Sequence, residues 1–112
     1  METKHTIKIT KYLNKYLPGD GASAGQRFYS DLLRPEFEKA KKGGERLLIN
    51  LNGLREWPSS FVKATFGKLA REYGSKKVLN YLEFESRDNP VRIEKVKYII
   101  RTSGENKALT GE

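Results

Sequence analysis

Apolar and polar residues alternate through "HTIKITKYL", with Ile7 and Ile9 on one side and Lys8 and Thr10 on the other. That two-residue period predicts a half-buried strand over residues 5 to 10. The period then changes. In "AGQRFYSDLLRPEFEKAKK" the set Ala24, Phe28, Leu32 and the set Phe28, Tyr29, Leu33, Phe37 recur at helical spacing, leaving Gln26, Arg27, Ser30, Asp31 and Arg34 outward. The loop-like "LPGDGASAGQ" precedes this helix, and Ser23 is placed to cap it. Pro35 lacks an N–H and its ring clashes with the carbonyl four residues back, so the helix must kink there or restart. "KKGGE" closes it with lysines in the last turn and a glycine free to take the left-handed conformation.

"RLLINL" is a short continuous apolar run, read as a central strand covered on both faces. After "NGLREWPSS", the stripes Phe61, Thr65, Leu69, Tyr73 and Val62, Phe66, Ala70 predict a helix lying on a sheet, with Gly67 allowing close approach and Gly74 stopping it. "KVLNYLEFE" alternates again and predicts a strand. Asp88 or Asn89 is expected to cap a last helix with Pro90 at its first position and Ile93, Val96 and Ile100 buried. "KYLNKYL" adds an extra strand or irregular piece, and residues 104–112 have little to bury and read as a flexible tail. Strand, helix, strand, helix, strand, helix predicts an α/β fold: a small, mixed or mostly parallel sheet covered by about three helices, in one domain over residues 1–103.

Composition narrows the chemistry. The chain has 112 residues, no cysteine and a single histidine, His5, which removes thiolate catalysis, a Ser-His relay in one copy and the usual His/Cys zinc site. His5 reads as structural or surface. The carboxylates Asp31, Glu36, Glu38, Glu72 and Asp88 have no spacing that forces two into one cleft. Gly19, Gly21 and Gly25 lack the Lys-Ser/Thr pair of a phosphate-binding loop, so that stretch reads as a plain loop. No cofactor or metal is implied. No run approaches the ~18 apolar residues of a membrane span, and "METKHTIKIT" lacks the apolar core of a signal peptide, so a cytoplasmic protein is expected.

Twenty-two Lys and Arg against fourteen Asp and Glu give a net charge of +8 and a pI near 9.7. Such a balance attracts polyanions and makes nucleic acid, or an acidic protein, a candidate partner. The contacts would be Lys11, Lys15, Lys39, Lys41, Lys42, Lys76, Lys77, Lys95 and Lys97, but acidic residues interrupt most of the clusters, and a generic solvated surface is the simpler reading.

"LLINLNGLREWPSSFVKATFGKLAREYG" resembles the central motif of the bacterial STAS superfamily, the sulfate-transporter and anti-sigma-factor-antagonist domains: an apolar strand, a turn with a serine pair, an amphipathic helix. It is most similar to STAS-like proteins of unknown function in which a Gly-x-Arg helix, here Gly25 and Arg27, precedes the strand. The resemblance covers roughly residues 5 to 102 and implies a non-enzymatic regulatory module that docks on a protein. A histidine-kinase-type ATPase is the partner it suggests. In anti-sigma-factor antagonists a serine at this place is phosphorylated and the complex breaks. Ser59 matches that position and Ser60 the next, with Pro58 where the family has Asp and Phe61 where it has Gly.

Three readings of the pair stand side by side: a helix cap, which any helix start needs; a nucleophile; and a modified residue whose added charge switches an interface. Trp57 is either a core plug or an interface anchor. The docking surface expected from this reading is Arg55, Glu56, Trp57, Pro58, Ser59 and Ser60 with Lys63, Lys68 and Arg71. A mobile-element protein that binds a host machine is a further alternative. Oligomeric state and pathway are not encoded in any motif.

Overall fold

A computed structural model describes residues 3–11, 21–54 and 59–111, with side chains placed in 5–11, 23–54 and 59–104. Three strands form a parallel sheet in the order β1 (Thr3–Lys8), β2 (Arg46–Asn50), β3 (Leu82–Glu85). Ile7 lies beside Ile49 and Ile49 beside Phe84, while Leu47 sits between His5 and Leu82. These residues form the packed face, since Ile7, Leu47, Ile49 and Leu82 are buried. Thr6, Leu48 and Glu83, then Lys8, Asn50 and Glu85, make the opposite face. It is half-buried or exposed throughout. β2 is therefore central as expected but fully covered on one face only, because Leu48 is its single apolar residue on the other.

The helices pack on the buried face. α1 (Gly21–Phe28), a π-helical turn (Tyr29–Leu33) and α2 (Arg34–Gly43) form one continuous helical segment. The Arg34 N–H donates to the Tyr29 carbonyl five residues back, and Pro35 follows at once. The wider turn makes room for the ring that cannot sit in a regular helix, so the restart expected at Pro35 takes this form. α1 begins at Gly21, which puts Ser23 inside its first turn rather than ahead of it. Gly44 closes α2 with φ of 67°, the left-handed conformation a side chain resists.

α3 (Ser59–Val62), a second π-helical turn (Lys63–Gly67) and α4 (Lys68–Tyr73) form the next segment. Thr65, fully buried, donates its hydroxyl back to the carbonyls of Phe61 at 2.9 Å and Val62 at 3.2 Å, which satisfies it without a distant partner and favours bending. Gly74, with φ of 93°, ends α4. The chain then forms α5 (Ser75–Tyr81) before β3, so the strand predicted from Val78 is corrected to Leu82–Glu85. "KVLNYL" fits both periods: Val78 and Leu82 are four apart as well as even in alternation, and the lysines ahead of them favour helix.

α6 (Val91–Gly111) runs through the residues expected to form a loose tail. Nothing in "SGENKALTG" stops a helix as Gly74 and its strained φ stop α4, and Gly104 lies against α5. A β-carbon at Gly104 would stand 2.6 Å from Ser75 Cβ. Val96 and Ile100 are buried as predicted and Ile93 packs against the core. The core aromatics tie the layers, with Phe28 on Phe61 at 5.6 Å, Phe37 on Tyr73 at 5.0 Å and Phe66 on Phe84 at 5.7 Å between centroids. The extra piece predicted at "KYLNKYL" lies outside the described residues except for Lys11, which is helical.

Candidate functional site

Ser59 and Ser60 are the first two residues of α3, and both are exposed. Phe61 and Val62 immediately after them are buried. The apolar pair plants the helix start on the core, so the hydroxyls stand at the surface on its first turn. Both serines stand at the start of α3, in the turn whose N–H groups have no carbonyl partner within the helix, and residues 55–58 ahead of them lie outside the described residues.

α1 holds this helix in place. A β-carbon at Gly25 would come within 2.8 Å of Ala64 Cβ and 3.1 Å of the Phe61 carbonyl, so the two helices cross at backbone distance. Gly67 does the same on the other flank, where a β-carbon would meet Ser103 Oγ at 3.0 Å and Ile99 Cγ2 at 3.5 Å. The serine helix is thus wedged between α1 and α6, and one strip of it remains outside.

The π-helical turn decides what occupies that strip. The Lys68 N–H donates to the Lys63 carbonyl, five residues back, which stacks Lys68 rather than Gly67 over Lys63. Lys63 is exposed and continues the surface that begins at Ser59 and Ser60. Lys68 is half-buried, its ammonium 4.9 Å from the centre of the Tyr29 ring. Arg71 is exposed on the Gly67 flank, its Nη1 only 3.4 Å from where a Gly67 β-carbon would sit. Lys68 thus lies against Tyr29 and Arg71 against the Gly67 flank, while Ser59, Ser60 and Lys63 are exposed on the same helical segment. Arg55, Glu56, Trp57 and Pro58 lie outside the described residues.

Beside Lys68 is a polar groove of about 490 Å³ lined by Tyr29, Arg34, Glu38, Lys68 and Glu72. Sequence reasoning missed it, because its members come from both helical segments. Tyr29 donates to Glu72, and Tyr73 donates to Glu38 while accepting from Arg34 Nε at 3.3 Å. The Tyr73 hydroxyl bond holds the Glu38 carboxyl below the ordinary carboxylate range, and Lys41 beside it acts in the same direction. Burial, then the Glu38 carboxylate, pushes the Tyr73 hydroxyl up. Each charge in this groove has a partner, which makes it a clamp between α2 and α4 as it stands.

At the ends of the strands a second network joins the loops after β2 and β3. Asp88 accepts the Gly53 N–H at 3.0 Å and Arg92 Nη1 at 3.0 Å. Those bonds, the backbone one foremost, hold its carboxyl below the usual range. Asp88 therefore pins two loops together instead of capping α6. Asn52 bridges the same loops, donating to Glu85 at 2.8 Å and accepting the Arg87 N–H at 2.6 Å.

The lysines proposed for nucleic acid are distributed over several elements. Lys39 pairs with Glu36 at 3.4 Å and Lys41 with Glu38 at 3.5 Å on α2. Lys42 is exposed on that helix, Lys76 and Lys77 on α5, Lys95 and half-buried Lys97 on α6, and Lys11 after β1; Lys15 lies outside the described residues. His5 sits between Glu36 at 3.6 Å and Glu45 at 3.4 Å, tying β1 to α2 and to the turn that follows it. Among the described residues no group of three or more His, Cys, Asp or Glu is placed to hold a metal, and no helix is long and apolar enough to cross a membrane.

A family model described as "STAS-like domain of unknown function (DUF4325)" matches residues 24–92, from α1 to the start of α6. Neither the curated proteins nor the solved structures contain a match to the chain. The matched span is more than half of the chain and holds β2, β3, the Gly25 crossing and the serine helix. With its parallel sheet and helical cover in agreement, the chain belongs to this STAS-like domain family.

Proposed function

We propose that this protein is a non-enzymatic interaction module that docks on a partner protein through the first turn of α3 and Lys63, and that phosphorylation of Ser59 or Ser60 switches the contact. The observation that carries the reading is two adjacent exposed hydroxyls on the first turn of a helix whose following residues are buried. A phosphate there gains the unused N–H groups and the positive end of the helix, so it is tolerated by the fold. It also adds nearly two negative charges at a surface where, among the described residues, Lys63 is the exposed charge one turn on, and so repels a partner matched to the unmodified form. The resemblance to anti-sigma-factor antagonists supports an ATPase of the histidine-kinase type as that partner.

The test is capture on tagged protein from a lysate of the source cell, in nuclease-treated and untreated halves, comparing the parent with Ser59→Asp and Ser60→Asp. One stoichiometric protein retained by the parent at high salt and lost from either variant supports the switch. Unfolding stability should stay within about 0.5 kcal/mol of the parent, since both sites are exposed. Equal capture by all three proteins refutes it. Material that is nucleic acid, removed by nuclease and by salt, transfers the function to the basic surface instead.

A further inference from the structure

A groove of about 240 Å³ lies where α5, β3 and α6 meet, away from the serine strip. Arg46, Lys97 and Arg101 reach it, with Glu83 as its one carboxylate among the described residues and Leu79 and Phe84 among its apolar walls. The charges of these described residues sum to +2, in a recess with an apolar side.

The cations are not used up by the fold. Lys97 and Arg101 are four apart on one helix, a spacing at which like charges repel, and among the described residues neither has an ion-pair partner. Arg46 spends Nη1 on Glu83 at 3.3 Å and Nη2 on the Leu82 carbonyl at 3.0 Å. Its Nε is buried behind them with no hydrogen-bond partner. Edge placement matters too: β3 pairs with β2 on one side, and no strand among the described residues pairs with its other side.

The geometry points to a binding site for a small phosphate monoester. The dianionic head matches the net charge, takes the guanidinium and ammonium groups of Arg101 and Lys97, and offers oxygens to the N–H groups that Arg46 Nη1 and Nη2 do not spend on Glu83 and Leu82. A compact apolar body lies against Leu79 and Phe84. The site is independent of the serine strip, and neither reading requires the other.

Titration calorimetry on the full chain at low ionic strength tests it, with phenyl phosphate, inorganic phosphate and a short phosphoserine peptide as probes. Phenyl phosphate should bind with one-to-one stoichiometry and more tightly than inorganic phosphate. Lys97→Gln with Arg101→Gln should weaken it by about tenfold or more, as expected for losing two charge-assisted contacts. Both residues are at least partly exposed, so this variant keeps the fold. Lys76→Gln with Lys77→Gln removes the same charge from exposed positions elsewhere on α5 and should leave binding unchanged. No heat with phenyl phosphate at millimolar concentration overturns the proposal. So does equal weakening by the two double variants, which means a general surface field. Tighter binding of the phosphoserine peptide than of phenyl phosphate overturns the small-molecule assignment.

Discussion

The crossing of α1 and α3 at Gly25 sets where the serine strip stands, and its tolerance can be worked from distances. Gly25→Ala would put a carbon 2.8 Å from Ala64 Cβ and 3.1 Å from the Phe61 carbonyl oxygen. Carbon atoms are comfortable at about 3.5–4.0 Å, so the helices would need to part by close to 1 Å. Neither neighbour can rotate away, since one is a β-carbon fixed to its backbone and the other is backbone itself. Overpacking of this kind costs about 1–3 kcal/mol, against roughly 1 kcal/mol recovered from the better helix propensity of alanine.

Ala64→Gly in the same chain removes the nearer obstacle and itself costs about 1 kcal/mol. The two changes should therefore be coupled, with the double variant more stable than the sum predicts by at least about 1 kcal/mol. Equilibrium urea unfolding of all four proteins, followed by circular dichroism, measures the coupling from the midpoints and a shared slope. A thermal readout should move by about 4 °C per kcal/mol for a chain of this length. Additivity within about 0.5 kcal/mol, or a Gly25→Ala protein more stable than the parent, would refute the close crossing.

Other outcomes follow from the polar networks. Asp88 has its folded carboxyl pKa held below the unfolded value, so its contribution is present above the ordinary carboxylate pKa and is lost as pH falls through the depressed one. Asp88→Asn should be less stable than the parent near neutrality, and the gap should close below about pH 4 in urea midpoints taken across pH. A gap constant with pH would separate the effect from the charge. Tyr73→Phe should cost about 0.5–1.5 kcal/mol for the lost hydroxyl bonds. The same variant should raise the Glu38 carboxyl pKa read by NMR titration, because the tyrosine bond is the largest influence holding it down. An unmoved Glu38 would contradict the Tyr73 contact.

Much of the core was visible in order along the chain. Phe28, Leu33, Phe37, Phe61, Phe66 and Leu69 were expected inside from spacing alone, and all are fully buried. Periodicity works there because burial of a helix face is a one-dimensional property of the sequence. It failed at Val78, where four-residue and two-residue spacings coincide, and at residues 104–111, where composition says little about a helix continued from a packed one. The polar groove was hidden for another reason. Tyr29 and Glu72 are 43 positions apart, and no local pattern relates them.

Within its own letters the chain specified an α/β alternation, the glycines that end α2 and α4, the break at Pro35 and a serine pair at a helix start. Each follows from backbone chemistry acting over a few residues. Only the tertiary structure decided that one sheet face is half-buried or exposed, that Lys68 lies over the Tyr29 ring while Arg71 lies on the Gly67 flank, and that Arg46, Lys97 and Arg101 line one groove. Those outcomes depend on how helices seat against a sheet, which is settled by packing among residues distant in sequence.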